Sequence, residues 1–480
     1  MRKLNRRTFL KGSLAAAGAA SSLSLPAWSR ILGANDDIRV GVIGFRSQGS
    51  GHIDRFLKIP GVRVVALCDV DRTILDQKVK EFTDRKQPVE AYTDVRQLLD
   101  NKDIDAISTA TPNHWHALIS VWACQAGKDV YVEKPVSHNI FEGRKIVEAA
   151  RKYNRIVQTG TQNRSCAGMQ EAIQYLQAGN LGKILLARGL CYKRRPSIGK
   201  VAGPQPVPEY IDYDLWTGPA PLVPLMRENL HYDWHWVWPT GNGDIGNQGI
   251  HQMDICRWAT GEQQLAPRVI SVGGRFGYVD DGETANTQFV LLDYERIPIM
   301  FEVRGLPMES GVEAMPHYRG VRIGNVIHCE HGYVAGGYAY DNEGNRIKQF
   351  PMEGGSQHQD NFIEAVRSRR QSDLTADILE GHLSSALCHM GNISHRLGRQ
   401  LPPKEIRERL ESEPEAVETF DRFQEHLAAN GVDLAKSHAT LGPWLKMNPV
   451  RERFTGPYAR EANRLISRDY RKPFVVPEKV

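Results

Sequence analysis

The seven cysteines of this 480-residue chain, Cys68, Cys124, Cys166, Cys191, Cys256, Cys329 and Cys388, stand singly with no regular spacing. A disulfide framework is therefore not written into the sequence, and the apolar surroundings of several predict buried free thiols. Charge of one sign is also scarce. Lys and Arg number 61 against 56 Asp and Glu, a formal net charge of +5. Arg2, Lys3, Arg6, Arg7, Lys11 and Arg30 all lie at the N-terminus; without them the charge is about −1, which excludes the basic footprint of a nucleic-acid binder. Past residue 34 no apolar run is long enough to cross a bilayer, and no repeat or low-complexity tract occurs.

The N-terminus has a different character. Arg6-Arg7-Thr8-Phe9-Leu10-Lys11 precedes an Ala-rich apolar run from Gly12 to Leu25 and then Pro26-Ala27-Trp28. A basic start, a short hydrophobic segment and small residues make a secretory signal, and the paired arginines mark the twin-arginine type. Residues 1–34 are read as that signal, cleaved after Ala27 or Ala34. The twin-arginine export machinery is then a partner, and the periplasm or cell surface the destination. About 445 residues remain, enough for two or three domains.

From 35 to 158 short apolar strands alternate with helical stretches, which predicts a doubly wound parallel sheet in an α/β domain. The run Ile38 to Ile43 ends in Gly44, and a helix is predicted over 52–59. This is the place of a dinucleotide fingerprint, with Gly44 and Gly49 as its first and third glycines. Arg46 occupies the middle position, where it either adds a cationic contact on a displaced loop or weakens nucleotide binding. The next strand, Val62 to Cys68, ends in Asp69, 25 residues beyond Gly44. A carboxylate there accepts from both ribose hydroxyls and repels a 2′-phosphate, favouring NAD over NADP. Further on, a turn at Thr111-Pro112-Asn113 opens a helix carrying His116, and the buried strand Asp129 to Val132 delivers Glu133-Lys134-Pro135. Ligands collect at the carboxyl edge of such strands, so Lys134 is the first catalytic candidate. Asn139 and Glu142 form a capping pair for a helix to Tyr153.

Taken together, VGVIG ending at Gly44, ALCDVD ending at Asp71, ATPNHWH ending at His116 and AGKDVYVEKP ending at Pro135 resemble the Gfo/Idh/MocA oxidoreductases. The resemblance implies a nicotinamide beside Lys134, with Thr111, Pro112, Asn113, His116 and Glu133 around the nucleotide. It also implies an α+β second domain with a large, mainly antiparallel sheet, and a homo-oligomer assembled through that sheet.

That second domain is read over 159–400, with strands predicted at 184–191, 268–272, 287–293 and 299–303. Two constellations stand out. In His231-Tyr232-Asp233-Trp234-His235-Trp236-Val237-Trp238, flat rings suit the apolar faces of a sugar, or else form an aromatic cover for the core. His231, Tyr232, Trp234 and His235, with Arg164 and Asp254, are the candidate substrate contacts. No third ligand accompanies His231 and His235, so no metal is expected. In the second stretch, 241–258, Asp244 reads as an N-cap with Asn247, His251, Asp254 and Trp258 along one helix face. By the resemblance His251 matches the family histidine, while Asn247 stands where a carboxylate is usual. An amide orients a hydroxyl but cannot exchange its proton. His251 would accept the hydroxyl proton and Lys134 would stabilise the alkoxide. His328-Cys329-Glu330-His331 alternates sides of a strand and is expected to be structural. His358 opens a helix expected against the first domain, with a solvated helix start as the plainer reading. A helix pair is predicted over 375–397. Residues 401–480 read as a charged, proline-punctuated extension without chemistry, helical near 405–411 and again from Pro414.

Free NAD is not expected outside the cytoplasm, so a cofactor should stay bound and be regenerated within the cycle. The reading is an NAD-dependent oxidoreductase acting on a sugar or glycoside hydroxyl, with a small carbohydrate as substrate. The alternative is an NAD-dependent glycoside hydrolase or lyase that works by transient oxidation and elimination, toward which Asn247 tilts. A sugar-binding relative without catalysis is the third reading, and Arg46 is its best argument.

Overall fold

Six short strands, β1 (Ile38–Ile43), β2 (Val62–Cys68), β3 (Glu90–Tyr92), β4 (Ala106–Thr109), β5 (Asp129–Val132) and β6 (Val157–Thr159), form a parallel sheet in the order β3-β2-β1-β4-β5-β6. The structure, a computed structural model, describes residues 37–352 and 357–480; the signal read over 1–34 lies outside them. Every residue of β4 and β5 is buried, as a sheet covered on both faces requires. Strand order reverses between β1 and β4, and a crevice opens there at the carboxyl ends. Helix α1 (Gln48–Phe56) starts four residues earlier than the sequence suggested, directly on the glycine turn. Asp71 caps α2 (Arg72–Asp84), accepting from the Thr73 and Ile74 amides. Helix α3 (Asn113–Gln125) is buried along nearly its whole length. Helix α4 (Ile140–Lys152) opens on the expected pair: Asn139 Oδ1 accepts from the Glu142 amide at 2.9 Å, and Glu142 Oε2 accepts from the His138 amide at 2.9 Å.

The second sheet has twelve strands. At its centre lie β7 (Ile184–Tyr192), β8 (Arg268–Gly274), β9 (Thr287–Asp293) and β10 (Ile299–Arg304). β7 and β10 run parallel, and the other neighbours are antiparallel. Period-two alternation sorts their side chains. Val290, Leu292, Ile299 and Phe301 face helices on one side, while Phe289, Leu291 and Met300 face the other.

Four readings need correction. The helix expected from Asp244 through Trp258 is two, α5 (Gly243–Asn247) and α6 (Gly249–Thr260), broken at Gln248. The pair expected over 375–397 is one helix; α7 (His358–Ser368) precedes it and it is α8 (Ile378–Arg396). Its internal Gly391 lets the helix lie close to the sheet, since a Cβ there would stand 2.8 Å from Val290. His358 is not solvated: its ring is buried, with Nε2 2.7 Å from the Thr159 carbonyl and Nδ1 2.6 Å from Ser165 Oγ. Finally, residues 401–480 are integral to the fold. Helices α9 (Pro403–Arg409) and α10 (Pro414–Ala429) place Ile406, Leu410, Phe420, Phe423 and Leu427 on the outer face of the sheet. Three further strands after residue 438 extend it, and Phe474 and Val476 enter the core of the first domain. Over β8 to β10 this face of the sheet is thus covered by the chain's own helices. All seven cysteines are buried. His328 contacts the Tyr318 hydroxyl at 3.4 Å, and no metal-holding group exists among the described residues.

Candidate active site

The glycine turn is shaped by close approach. Gly44 has φ +72°, and a Cβ there would lie 2.9 Å from the Thr111 amide nitrogen. A Cβ on Gly49 would overlap the Gly44 carbonyl oxygen and stand 3.0 Å from its carbon, so α1 can begin directly on the turn only with glycine at this position. At the end of β2, Asp69 Oδ2 accepts from the Phe45 amide at 3.1 Å and Oδ1 from the Asp71 amide at 3.0 Å. These bonds aim the carboxylate at the crevice. Burial, only partly offset by them, pushes its pKa up to about 6. Arg46 leans away from the turn, its Nη1 3.4 Å from Asp71 Oδ2, and is half exposed.

At the other end of the same cleft, of about 560 Å³, β5 delivers Glu133 and Lys134. Glu133 is held by His52 Nε2 at 3.1 Å and Gln48 Nε2 at 3.2 Å, and His52 Nδ1 reaches Ser108 Oγ at 2.8 Å. Burial opposes its ionisation, but the His52 bond and the nearby positive charges hold its pKa down at about 2. Lys134 Nζ donates to the Asn247 carbonyl at 3.0 Å. Burial lowers its pKa, against the pull of Glu133. His116 bridges the Thr111 and Pro135 carbonyls, 2.7 Å from each, and so ties the turn to the Lys134 segment. His251 is buried, its Nδ1 has no hydrogen-bond partner, and burial together with the Lys134 charge lowers its pKa to about 3. At neutral pH it is an uncharged ring with a nitrogen to spare.

A long excursion after β7 roofs this cleft. Ile211 bridges to Asp71, the Arg72 amide donates to Tyr210 O at 3.0 Å, and Trp115 Nε1 donates to the Leu215 and Trp216 carbonyls at 3.0 Å. Ile211, Trp216, Leu225 and Leu230 pack together against Val70 and Tyr213. Leu215, Trp216, His231, Tyr232, Trp234 and His235 thereby join Gly44, Arg46, Asp69, Thr111, Pro112, Asn113, His116, Glu133, Lys134 and Asn247 around one cavity. His231 Nε2 stands 3.2 Å from Asp71 Oδ2 without hydrogen-bond geometry. Trp234 and His235 stack at 3.6 Å, and Tyr232 has φ +67°.

Arg164 and Asp254, expected to meet substrate, do not line it. They pair with each other at 2.8 and 2.9 Å deep in the second domain, joined by Ser384 and Glu380. A doubly bonded guanidinium and carboxylate satisfy each other there, which is a structural use. Asp244 is not a cap either; it accepts from Arg195 Nε at 2.7 Å and Nη2 at 2.6 Å. Arg195 and Lys193 both line the cleft, and sequence reasoning passed over them. The signal was available: a basic run, Lys193-Arg194-Arg195, directly after a buried strand.

The fold and the N-terminal signal have counterparts among known proteins. Residues 38–161 match a model described as "Oxidoreductase family, NAD-binding Rossmann fold", residues 183–292 its C-terminal alpha/beta domain, and residues 3–24 a twin-arginine translocation signal. Over 172 residues the chain is 35% identical to a "Glycosyl hydrolase family 109 protein" of Shewanella pealeana, 31% of this chain and 38% of that protein. Over 120 residues it is 32% identical to an "Alpha-N-acetylgalactosaminidase" of Shewanella oneidensis, 24% of this chain and 26% of that one. The chain therefore spans well under half the length of these curated relatives. The WlbA dehydrogenase from Bordetella pertussis, in complex with NADH and UDP-GlcNAcA, shares the fold with a TM-score of 0.57 at 20% identity, over 75% of this chain and 97% of that one. With its Rossmann domain, its C-terminal alpha/beta domain and its twin-arginine export signal, the chain belongs to the Gfo/Idh/MocA oxidoreductase family.

Proposed function

We propose that this exported enzyme retains NAD in the cleft and uses it to oxidise a hydroxyl-bearing carbon of a carbohydrate. One observation carries the reading: Asp69 and Lys134 line a single roofed cavity, and the uncharged His251, which is not itself on the cavity wall, lies close enough to Lys134 to feel its charge. The glycine turn, Asp69, Thr111, Pro112 and Asn113 would hold the nucleotide, and a Cβ at Gly44 or Gly49 would collide with Thr111 or with the turn's own backbone and spoil its shape. NAD, when bound, supplies a hydride acceptor. Lys134 orients the substrate hydroxyl and stabilises the negative charge that develops on its oxygen. The uncharged His251 imidazole accepts the hydroxyl proton, and the Asn247 carbonyl fixes the Lys134 ammonium. The Asp69 carboxylate would repel a 2′-phosphate, which supports NAD rather than NADP. The roof over 205–236, anchored on Asp71, Arg72 and Trp115, supports retention, because release requires its contacts to part.

A second reading, redox-neutral glycoside cleavage through transient oxidation and elimination, is favoured by the relatives named glycosyl hydrolase family 109 and by Asn247 in place of a carboxylate. Two measurements decide. Protein as isolated, denatured and analysed by mass spectrometry, should release NAD; a nucleotide-free protein that also fails to bind NAD on titration refutes both readings. Incubation with a panel of glycosides then separates them: an oxidised sugar supports the first, free aglycone with no net redox change the second.

A further inference from the structure

The substrate end of the cleft carries more positive than negative charge. Lys134, Lys193 and Arg195 line it, and among the described residues the carboxylates that act most strongly on Lys134 are Glu133, also on the wall, and Asp244, which is not. Both carboxylates are committed. Glu133 is tied to His52 and Gln48, and Asp244 is held by two nitrogens of Arg195. Arg195 is committed too, since its remaining Nη1 donates to the Tyr232 hydroxyl at 2.6 Å. Lys134 is anchored on Asn247 and has its own task in the reaction proposed above. Lys193 differs from all of these. It is half-buried, and among the described residues no carboxylate pairs with it.

Its position is rigid. The Lys193 amide donates to Arg304 O at 3.0 Å and the Arg195 amide to Gly305 O at 2.9 Å, so the chain beyond β7 continues along the end of β10. Two residues apart on extended backbone, the two side chains share a side. Lys193 also lies close enough to Lys134 for its charge to disfavour protonation there. An unpaired ammonium held beside a second ammonium in a partly desolvated cleft is poorly satisfied until an anion arrives.

We propose that the substrate is an acidic sugar, one that bears a carboxylate, and that Lys193 is the residue that recognises that group. The proposal rests on the reading of the cleft as a carbohydrate site. Lys193 pairs with the substrate carboxylate, Trp234 and Tyr232 flank the sugar ring, and Lys134 is left for the hydroxyl that reacts.

The test uses the full mature chain loaded with NAD and two matched probe pairs, D-galacturonate with D-galactose and D-glucuronate with D-glucose. Affinities are read by calorimetry at fixed ionic strength. At least one uronate should bind about tenfold or more tightly than its neutral partner. In Lys193→Met that ratio should fall toward one, and Lys193→Arg should keep most of it. A ratio near one in the parent protein, a ratio unchanged by Lys193→Met, or no binding of either uronate overturns the assignment. Lys193-dependent uronate binding by a protein that never holds NAD would instead sink the proposed function and leave this assignment standing.

Discussion

Replacing Gly49 by alanine should damage nucleotide binding, while the same change two residues on should not. The Cβ at Gly49 would overlap the Gly44 carbonyl oxygen and stand 3.2 Å from Phe45 Cβ. The obstacle is backbone, not the end of a flexible side chain. Gly44 cannot retreat easily, because its own amide is tied to the Cys68 carbonyl at 2.9 Å. Forced overpacking of this kind costs about 1–3 kcal/mol. If the turn relieves it by leaving its nucleotide-ready shape, NAD affinity falls about 5-fold to about 150-fold. Gly51 is on the same helix, and a Cβ there meets nothing within 4 Å. Gly51→Ala should therefore bind NAD like the parent and gain roughly 0.5–1 kcal/mol of stability from helix propensity. Titration calorimetry on nucleotide-stripped protein gives the affinities, and urea denaturation gives the stabilities. Equal NAD affinity for Gly49→Ala, Gly51→Ala and the parent would refute the reasoning that this turn holds the nucleotide.

Lys134→Met should retain NAD yet lose turnover by about 100-fold to 1,000-fold, the usual cost of removing one positioned charge; mass spectrometry of bound nucleotide beside a rate assay checks both halves. NAD affinity should fall as pH drops through about 6, where the buried Asp69 takes up a proton and can no longer accept from two hydroxyls; a flat profile between pH 7.5 and 5 would exclude that contact. His114 and His389 are buried with pKa values lowered to about 3, chiefly by burial, with nearby positive charge adding to it. Each binds a proton more readily when unfolded, so the stability it contributes is whole above about pH 6.5 and falls as the pH goes below that, by about 2 kcal/mol per histidine between pH 7 and 5. Thermal melts over that range should show Tm falling by several degrees, less so in His114→Gln.

How much of the site could be read beforehand depended on how local its determinants are. Gly44, Asp69 and Lys134 sit at strand ends, and the pattern of short apolar runs with glycine or charge at their carboxyl edges marks them without any partner being known. The capping pair Asn139 and Glu142 is three residues apart and equally legible. Arg164 and Asp254 were misread because each is a plausible ligand contact alone. Only their meeting across 90 residues of chain shows that they neutralise each other. Asp244 looked like a cap for the same reason, until Arg195 claimed both of its oxygens.

The last eighty residues teach a similar lesson. Their charge and prolines suggested an appendage, yet Phe420, Phe423 and Leu427 recur at helical spacing and find the apolar outer face of a sheet laid down far earlier in the chain. The amino-acid order alone determined the export signal, the parallel sheet and the strand-end residues that face its crevice, because each follows from periodicity or from neighbours a few positions apart. Which charges remain unpaired, which segment roofs the cleft and which face of the large sheet is covered were decided only by tertiary packing, because those properties belong to pairs of residues that meet across distant stretches of the chain.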